Sequence, residues 1–317
     1  MTGQRDVALE ALRRYDVSPQ RVRLAAESFN SIFRVTTASA VYALRVGAVL
    51  QIHPQCTAAV EAEWHRRLPR HGVDVPGVLA NTTGEFATWV DSGRAGLAPQ
   101  VCMLFEWVAG RSLGTCLTER RAVALGRLSA TLHQEAADWC PPGGTEVLRA
   151  DRVLYWQLPD RLAEAGARFG FGTLLADAAA RAQLVIDWLW ERPPHPPILV
   201  HGDLTPQNVL LVPKRGLVTI DFQDTVVGFD IQDLSITVSA LGRYPEGDQL
   251  IEAFRTGYSE VRPWPDIPPA LFDSLIAARA LHQLNLTLNI VDMAGLGDYI
   301  VRHAERTRGW MHRPTGL

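Results

Sequence analysis

The strongest constraint on the fold of this chain is a change in hydrophobic period near residues 107–111. Before this point, short runs such as IFRVTT and VYALRV have the β-branched, alternating pattern of half-buried strands. After it, Leu125, Leu128 and Leu132 recur with the spacing of an amphipathic helix. We therefore predict a bilobal α+β protein, with a strand-rich N-terminal lobe at residues 1–106 and a mostly helical C-terminal lobe at residues 107–317.

Individual elements of each lobe are also predicted. In the first lobe, IFRVTT and VYALRV form one hairpin, a helix follows at about residues 60–68, and VPGVLA and FATWV form a second hairpin around a turn-forming cluster. VCMLFEWV is typical of a buried strand. In the second lobe, the runs ILV, NVLLV and LVTIDF interrupt the helices, and we expect the last two to pair antiparallel.

The charge balance excludes some classes of partner. The chain has 31 basic and 34 acidic side chains, without the basic excess that a nucleic-acid backbone requires. No uncharged stretch approaches the ~20 residues that cross a bilayer, and the amino terminus has no apolar leader. Four scattered cysteines without a C-x-x-C pair favour a reducing compartment. We therefore expect a cytoplasmic protein with no nucleic-acid or membrane partner.

Three oxygen-bearing side chains stand out in the second lobe. Asp203 and Asn208 lie in HGDLTPQN, and Asp221 follows in TIDF, all at strand ends or in a loop between strands. Hard cations such as Mg²⁺ take oxygen ligands and use only one or two protein carboxylates when phosphates and water complete the shell. The pattern therefore favours a metal–nucleotide site over a closed metal cage.

Phosphoryl transfer is a reaction to which these three oxygen-bearing side chains are suited. It needs an oriented acceptor hydroxyl, metal ions that bridge the phosphates and a cation on the donor. Asp203 would accept the proton of the attacking hydroxyl. Asn208 and Asp221 would share the metal.

HGDLTPQN with the downstream IDF resembles the catalytic and metal loops of the aminoglycoside phosphotransferase and choline kinase group, relatives of protein kinases. The resemblance implies a protein-kinase-like fold with ATP and Mg²⁺ as cofactors. Asp233, in GFDIQDLSI, resembles the carboxylate that braces the catalytic loop in that group. His201 is expected to support the same loop.

The resemblance also implies a cation for the α and β phosphates in the strand-rich lobe. The only lysine, Lys214, follows the catalytic loop, so the matching strand position is Arg45 in YALRV. A guanidinium can bind phosphate oxygens bidentately. Its partner would be Glu61 on the inserted helix, with Glu63 as the alternative because a helix turns about 200° in two residues.

Two further nucleotide contacts follow from the same resemblance. The first hairpin, ESFNSIFRV, lacks G-x-G-x-x-G, so its backbone N–H groups with Ser28, Asn30 and Ser31 would cap the phosphates. FEWVAG resembles the linker whose backbone holds the adenine edge, which indicates Glu106 and Val108.

The predicted reaction is transfer of the ATP γ-phosphate to a hydroxyl of a small molecule: an aminoglycoside-like antibiotic, an amino alcohol or a sugar. Asp224 either faces this acceptor or is an ordinary loop carboxylate. One alternative is a nucleotide-binding pseudokinase that regulates a partner, since the glycine loop and the lysine are missing. Another is a metal phosphohydrolase, which would need additional His and Asp ligands.

Overall fold

A computed structural model describes residues 3–91, 98–139, 141 and 146–315. Cys140 and most of the proline- and glycine-containing breaks at residues 91–100 and 141–144 lie outside this part of the chain. The strands in chain order are β1 (Arg21–Glu27), β2 (Ser31–Thr36), β3 (Val41–Val46), β4 (Val78–Leu79), β5 (Thr88–Val90), β6 (Gln100–Glu106), β7 (Arg111–Ser112), β8 (Ile198–Val200), β9 (Val209–Val212), β10 (Gly216–Thr219) and β11 (Val226–Gly228).

The helices in chain order are α1 (Gln4–Leu12), α2 (Thr57–Arg67), α3 (Glu119–Ala137), α4 (Leu162–Arg168), α5 (Leu174–Glu191), α6 (Asp230–Leu241), α7 (Gly247–Ser259), α8 (Pro269–Ile290) and α9 (Gly297–Met311). The chain divides into two compact units. Unit 1 contains Met1–Cys116, Pro141–Glu146 and Gln207–Gln223, and unit 2 contains Leu117–Cys140, Val147–Pro206 and Asp224–Leu317. The lobe boundary after residue 106 stays a prediction.

Unit 1 is built on an antiparallel sheet of order β1-β2-β3-β6-β4, with β5 also paired to β6. The first predicted hairpin, β2–β3, is present, and so are the inserted helix α2 and the antiparallel pair β9–β10. The second predicted hairpin is wrong. β4 pairs with Leu104 and Phe105, and β5 pairs with residues 100–102, so both lie end to end along one edge of β6.

The alternation of side chains in the sheet separates two apolar cores and positions Arg45. Leu44 in β3 and Leu104 in β6 contribute to a core with α1, whereas Met103 contributes to a second core with α2. Successive strand residues point to opposite faces, so Arg45 shares the α2 face with its cross-strand partner Met103. The pleat therefore directs a guanidinium towards the helix that carries Glu61.

Unit 2 is mostly helical. α4, α5, α8 and α9 share one apolar core, and β8 pairs with β11, a strand that the sequence did not indicate. The backbones of α3 and α7 are in direct contact at two glycines. A Cβ at Gly126 would overlap the Phe254 carbonyl, and a Cβ at Gly257 would overlap the Val123 carbonyl. No helix in the described ranges is both long enough and apolar enough to span a membrane.

Candidate active site

Arg45 lies at the centre of the candidate nucleotide site in unit 1. Its Nη1 and Nη2 donate to the two carboxylate oxygens of Glu61 at 2.7 and 2.6 Å, and both side chains are buried. Glu63, the alternative partner, has 46% of its side chain exposed and is instead paired with Arg66 at 3.0 Å. The fork geometry of guanidinium and carboxylate fixes Arg45 in one orientation.

Asp221 reaches the same guanidinium. Its Oδ1 lies 3.8 Å from Arg45 Nη1, and 38% of its side chain is exposed. Its backbone has φ +65°, a left-handed conformation that costs a non-glycine residue about 1 kcal/mol or more and that recurs at functional sites. The Ile220 N–H donates to the Asn208 carbonyl at 2.9 Å. The structure thus ties the backbone of Asn208 to the residue before Asp221.

Phe222 connects the Asp221 turn to α2. Its ring lies edge-on to Trp64 at 5.2 Å and to His65 at 4.7 Å, and its side chain is fully buried. These contacts hold the turn at Asp221 against α2, the helix that carries Glu61. The adjacency of Phe222 to Asp221 in IDF could have indicated this role from the sequence.

The turn between β1 and β2 carries the three polar residues predicted to cap phosphates. Ser28 is exposed, whereas Asn30 and Ser31 are buried. The Asn30 amide accepts from the Ala48 N–H and donates to Gln223, two residues after Asp221. The Asn30 side chain therefore braces this turn against neighbouring loops of unit 1, and phosphate capping stays a prediction for all three residues.

The candidate adenine contacts follow β6. The Glu106 N–H donates to the Gly77 carbonyl at 2.8 Å, and its exposed carboxylate accepts from the Gly77 N–H at 3.3 Å. Val108 is half-buried, and its carbonyl accepts from the Gly110 N–H at 3.1 Å. A role of either backbone in binding adenine stays a prediction.

Asp203 lies in unit 2 on the loop that follows β8. Its Oδ1 accepts from Arg279 Nη2 at 2.9 Å, and its own N–H donates to Nδ1 of the buried His201 at 3.3 Å. Burial is the main cause that raises the pKa of Asp203, and the charge of the buried Asp224 adds to it, while Arg279 and His201 oppose both. A raised pKa suits a carboxylate that accepts a proton.

The local turn at Asp203 depends on glycine. Gly202 has φ +77°, and a Cβ there would overlap the carbonyl oxygen of Asp224. The Leu204 carbonyl accepts from the Thr237 hydroxyl at 2.6 Å. The loop is therefore held on both sides of Asp203.

Asp233 braces this loop from the first turn of α6. Its Oδ1 accepts from the Gly202 N–H at 2.9 Å, and its Oδ2 lies 3.1 Å from His133 Nε2. The Tyr258 hydroxyl lies 3.0 Å from His133 Nδ1. Burial acts to raise the pKa of Asp233, but the hydrogen bond and charge of His133, with smaller contributions from His201 and the Gly202 N–H, leave it below its ordinary value.

Comparison with known proteins agrees with this arrangement. A model of the phosphotransferase enzyme family matches residues 21–270. An uncharacterised protein of Deinococcus radiodurans is 29% identical over 244 residues, 71% of this chain and 65% of that protein. Homoserine kinase of Beijerinckia indica subsp. indica is 29% identical over 203 residues, 62% of this chain and 57% of that protein. The match thus spans less than two thirds of either relative.

Among solved structures, that of a microcompartment-associated aminopropanol kinase is 25% identical, with a TM-score of 0.76 over 95% of this chain and 94% of that one. The predicted kinase-like fold, with a strand-rich N-terminal part and a helical C-terminal part, is confirmed. The resemblance to aminoglycoside phosphotransferases is confirmed as well. Because the family model covers most of the residues that build the two units, the chain belongs to the phosphotransferase enzyme family.

Proposed function

We propose that this protein is a kinase that transfers the γ-phosphate of ATP to a hydroxyl of a small molecule. The observation that carries the proposal is the group formed by Arg45, Glu61 and Asp221, in which a buried ion pair fixes a guanidinium 3.8 Å from an accessible carboxylate. A triphosphate with its metal needs such a fixed cation beside an oxygen ligand. Family membership and the two kinases among the matched proteins support the same reaction.

The residues present fit a Mg²⁺ ion. Asn208 and Asp221 offer only oxygen ligands, and the strained, accessible Asp221 is oriented towards Arg45. The described residues contain no group of three or more His, Cys, Asp or Glu side chains suited to a metal cage, so phosphates and water would complete the shell. When bound, Mg²⁺ would neutralise charge on the transferring phosphate.

Asp203 would act on the acceptor. The acceptor oxygen forms a bond to the γ-phosphorus, the bond from that phosphorus to the β–γ bridging oxygen breaks, ADP leaves, and the hydroxyl proton passes to Asp203. The raised pKa of Asp203 and the hydrogen bonds that hold its loop support this role. Arg45 would bind phosphate oxygens throughout, and the backbone at Glu106 and Val108 would hold adenine.

ADP formation tests the proposal directly. Purified protein is incubated with ATP and a panel of amino alcohols, hydroxy amino acids, sugars and aminoglycosides, with and without Mg²⁺. We expect Mg²⁺-dependent ADP formation that requires one class of acceptor. Nucleotide binding without turnover for any acceptor would instead favour the pseudokinase, and phosphate release without ATP would favour the phosphohydrolase.

Glu61 and Glu63 provide a matched pair for the nucleotide site. We expect Glu61→Gln to raise KM for ATP about tenfold, because Arg45 loses the charged partner that orients it. Glu63→Gln removes the same charge from an exposed i,i+3 pair and should leave KM within about twofold. Steady-state kinetics at saturating acceptor measures both, and equal effects of the two substitutions would contradict the assignment of Arg45.

A further inference from the structure

A cavity lies wholly within unit 2, beside the loop that carries Asp203. Residues of α6, of α8 and of the segment before α4 line it. Its charged lining residues are Arg152, Asp233 and Arg279. The Asp233 carboxylate is already bound by His133 and the Gly202 N–H. The charges left for a ligand in this cavity are therefore two guanidinium groups.

Arg279 is held in place but keeps donor capacity. Nη2 donates to Asp203 at 2.9 Å, Nη1 donates to the Tyr155 hydroxyl at 3.3 Å, and the Gln283 amide oxygen accepts from Nη2 and Nε when it is turned towards them. A guanidinium has five N–H donors. Among the described contacts of Arg279, one N–H of Nη1 is therefore left for a ligand.

Arg152 offers a second cation on the same cavity. Its side chain is exposed, and it forms no hydrogen bond or ion pair with the residues that the structure describes. An arginine on a cavity wall is suited to a planar carboxylate, which it can bind through two parallel N–H groups.

Tyr155 and His282, which line the cavity, and the neighbouring Trp156 do not form a site for a cation. Tyr155 stacks on His282 at 4.1 Å, Trp156 lies against His282 at 3.8 Å, and the Arg279 guanidinium lies 5.4 Å from the centre of the Trp156 ring. A bound ammonium group needs an open aromatic face, and here it would lie against the like-charged guanidinium of Arg279 instead. Burial raises the pKa of Tyr155 to about 12, so its hydroxyl keeps its proton.

We propose that the acceptor is a small hydroxylated carboxylate whose anionic group binds Arg279 and Arg152 while its hydroxyl reaches Asp203. This inference rests on the proposed kinase function and narrows its acceptor class. It disfavours multiply charged aminoglycosides, because their ammonium groups would lie against two guanidinium groups with no uncommitted carboxylate on the cavity wall.

Pairs of acceptors that differ by one carboxylate test this inference. L-Homoserine is compared with 3-aminopropan-1-ol, and L-threonine with 1-aminopropan-2-ol, by kcat/KM for Mg²⁺-dependent ADP formation. We expect at least one acid to exceed its amino alcohol about tenfold or more, the usual worth of a charge-assisted hydrogen bond. Kanamycin serves as the polycationic comparison and should not be turned over.

Substitutions of the two arginines test whether they cause the preference for acceptors with a carboxylate. We expect Arg279→Gln to lower the ratio of acid to amino alcohol about tenfold, mainly through KM for the acid, and Arg152→Gln to lower it less. Loss of positioning of Asp203 alone would slow both members of a pair equally, so the ratio isolates binding of the carboxylate. Arg313→Gln, which removes an exposed pair with Asp273 on α8, is the matched control and should leave the ratio unchanged.

The outcomes separate this inference from the proposed function. Turnover that favours amino alcohols or kanamycin overturns the carboxylate assignment and leaves the kinase intact. If no acceptor is turned over, equilibrium binding of the acceptors in the presence of Mg²⁺ and AMP-PNP tests the carboxylate assignment. Tighter binding of the acids than of their amino alcohols in the wild type, but not in Arg279→Gln, supports the assignment. Equal binding of acids and amino alcohols overturns it. Absence of both ATP binding and turnover overturns both proposals.

Discussion

Replacing Asp203 with alanine is expected to lower kcat about 10³-fold or more while Kd for ATP stays within about twofold. The carboxylate would no longer accept the acceptor proton. The Asp203 carboxylate contacts Arg279 and its backbone N–H contacts His201, and neither residue is assigned to the nucleotide. Single-turnover kinetics with saturating ATP and calorimetric titration with a nonhydrolysable analogue measure the two quantities separately.

A pH profile tests the same assignment without relying on truncation. A general base works when ionised, so the acid limb of kcat/KM should lie above the ordinary aspartate pKa of about 3.9, because burial raises the pKa of Asp203. Arg279→Gln should move this limb to still higher pH, since Arg279 opposes the rise.

The Asp273–Arg313 pair on the surface supplies the control for Asp203. Asp273→Ala removes an aspartate paired with an arginine, as Asp203→Ala does, but from an exposed position on α8, and should leave kcat unchanged. Loss of ATP affinity in Asp203→Ala, with an intact fold, would contradict the acceptor role.

The sequence predicted those features that local pattern determines. The hairpin β2–β3 has one turn between alternating runs, and the pair β9–β10 encloses residues 213–215, so partners are adjacent in the chain. The second hairpin failed because β4 and β5, although separated by a real turn at residues 81–84, both take β6 as partner. Alternation identifies a strand but not the later strand that completes its ladder.

In the candidate site, too, residues within a local motif could be predicted and residues that meet through distant contacts could not. Asp203, Asn208 and Asp221 could be identified because they lie within a short ordered motif. Arg279 and His133 could not be identified from the sequence. Arg279 contacts Asp203 from 76 residues away in the chain, and His133 contacts Asp233 from 100 residues away. Nothing in the sequences of α8 and α3 distinguishes these two side chains from surface residues. Arg45 was found only through its strand position, and the side chain of Glu61 rather than Glu63 meets it because of the phase of α2.

The buried Asp233 supports the second large effect. We expect Asp233→Ala to lower the free energy of unfolding by about 3 kcal/mol or more, because the Gly202 N–H and His133 would lose their acceptor in a dry environment. Asp233→Asn keeps an oxygen for Gly202 and should cost less. Urea unfolding followed by tryptophan fluorescence measures both, and Asp273→Ala on the surface should change stability by no more than about 0.5 kcal/mol.

The pH dependence of this effect has a definite sign. The pKa of Asp233 is lower in the folded protein than in the unfolded chain, so its ionised form stabilises the fold above the unfolded-state pKa of about 3.9 and loses that contribution as pH falls through the lower folded-state value. The stability difference between wild type and Asp233→Asn should therefore be constant from about pH 7 to pH 5 and shrink in more acidic solution. A difference that grows on acidification would mean that Asp233 is protonated in the native state, and the carboxylate would then not be the ionised brace of the Asp203 loop.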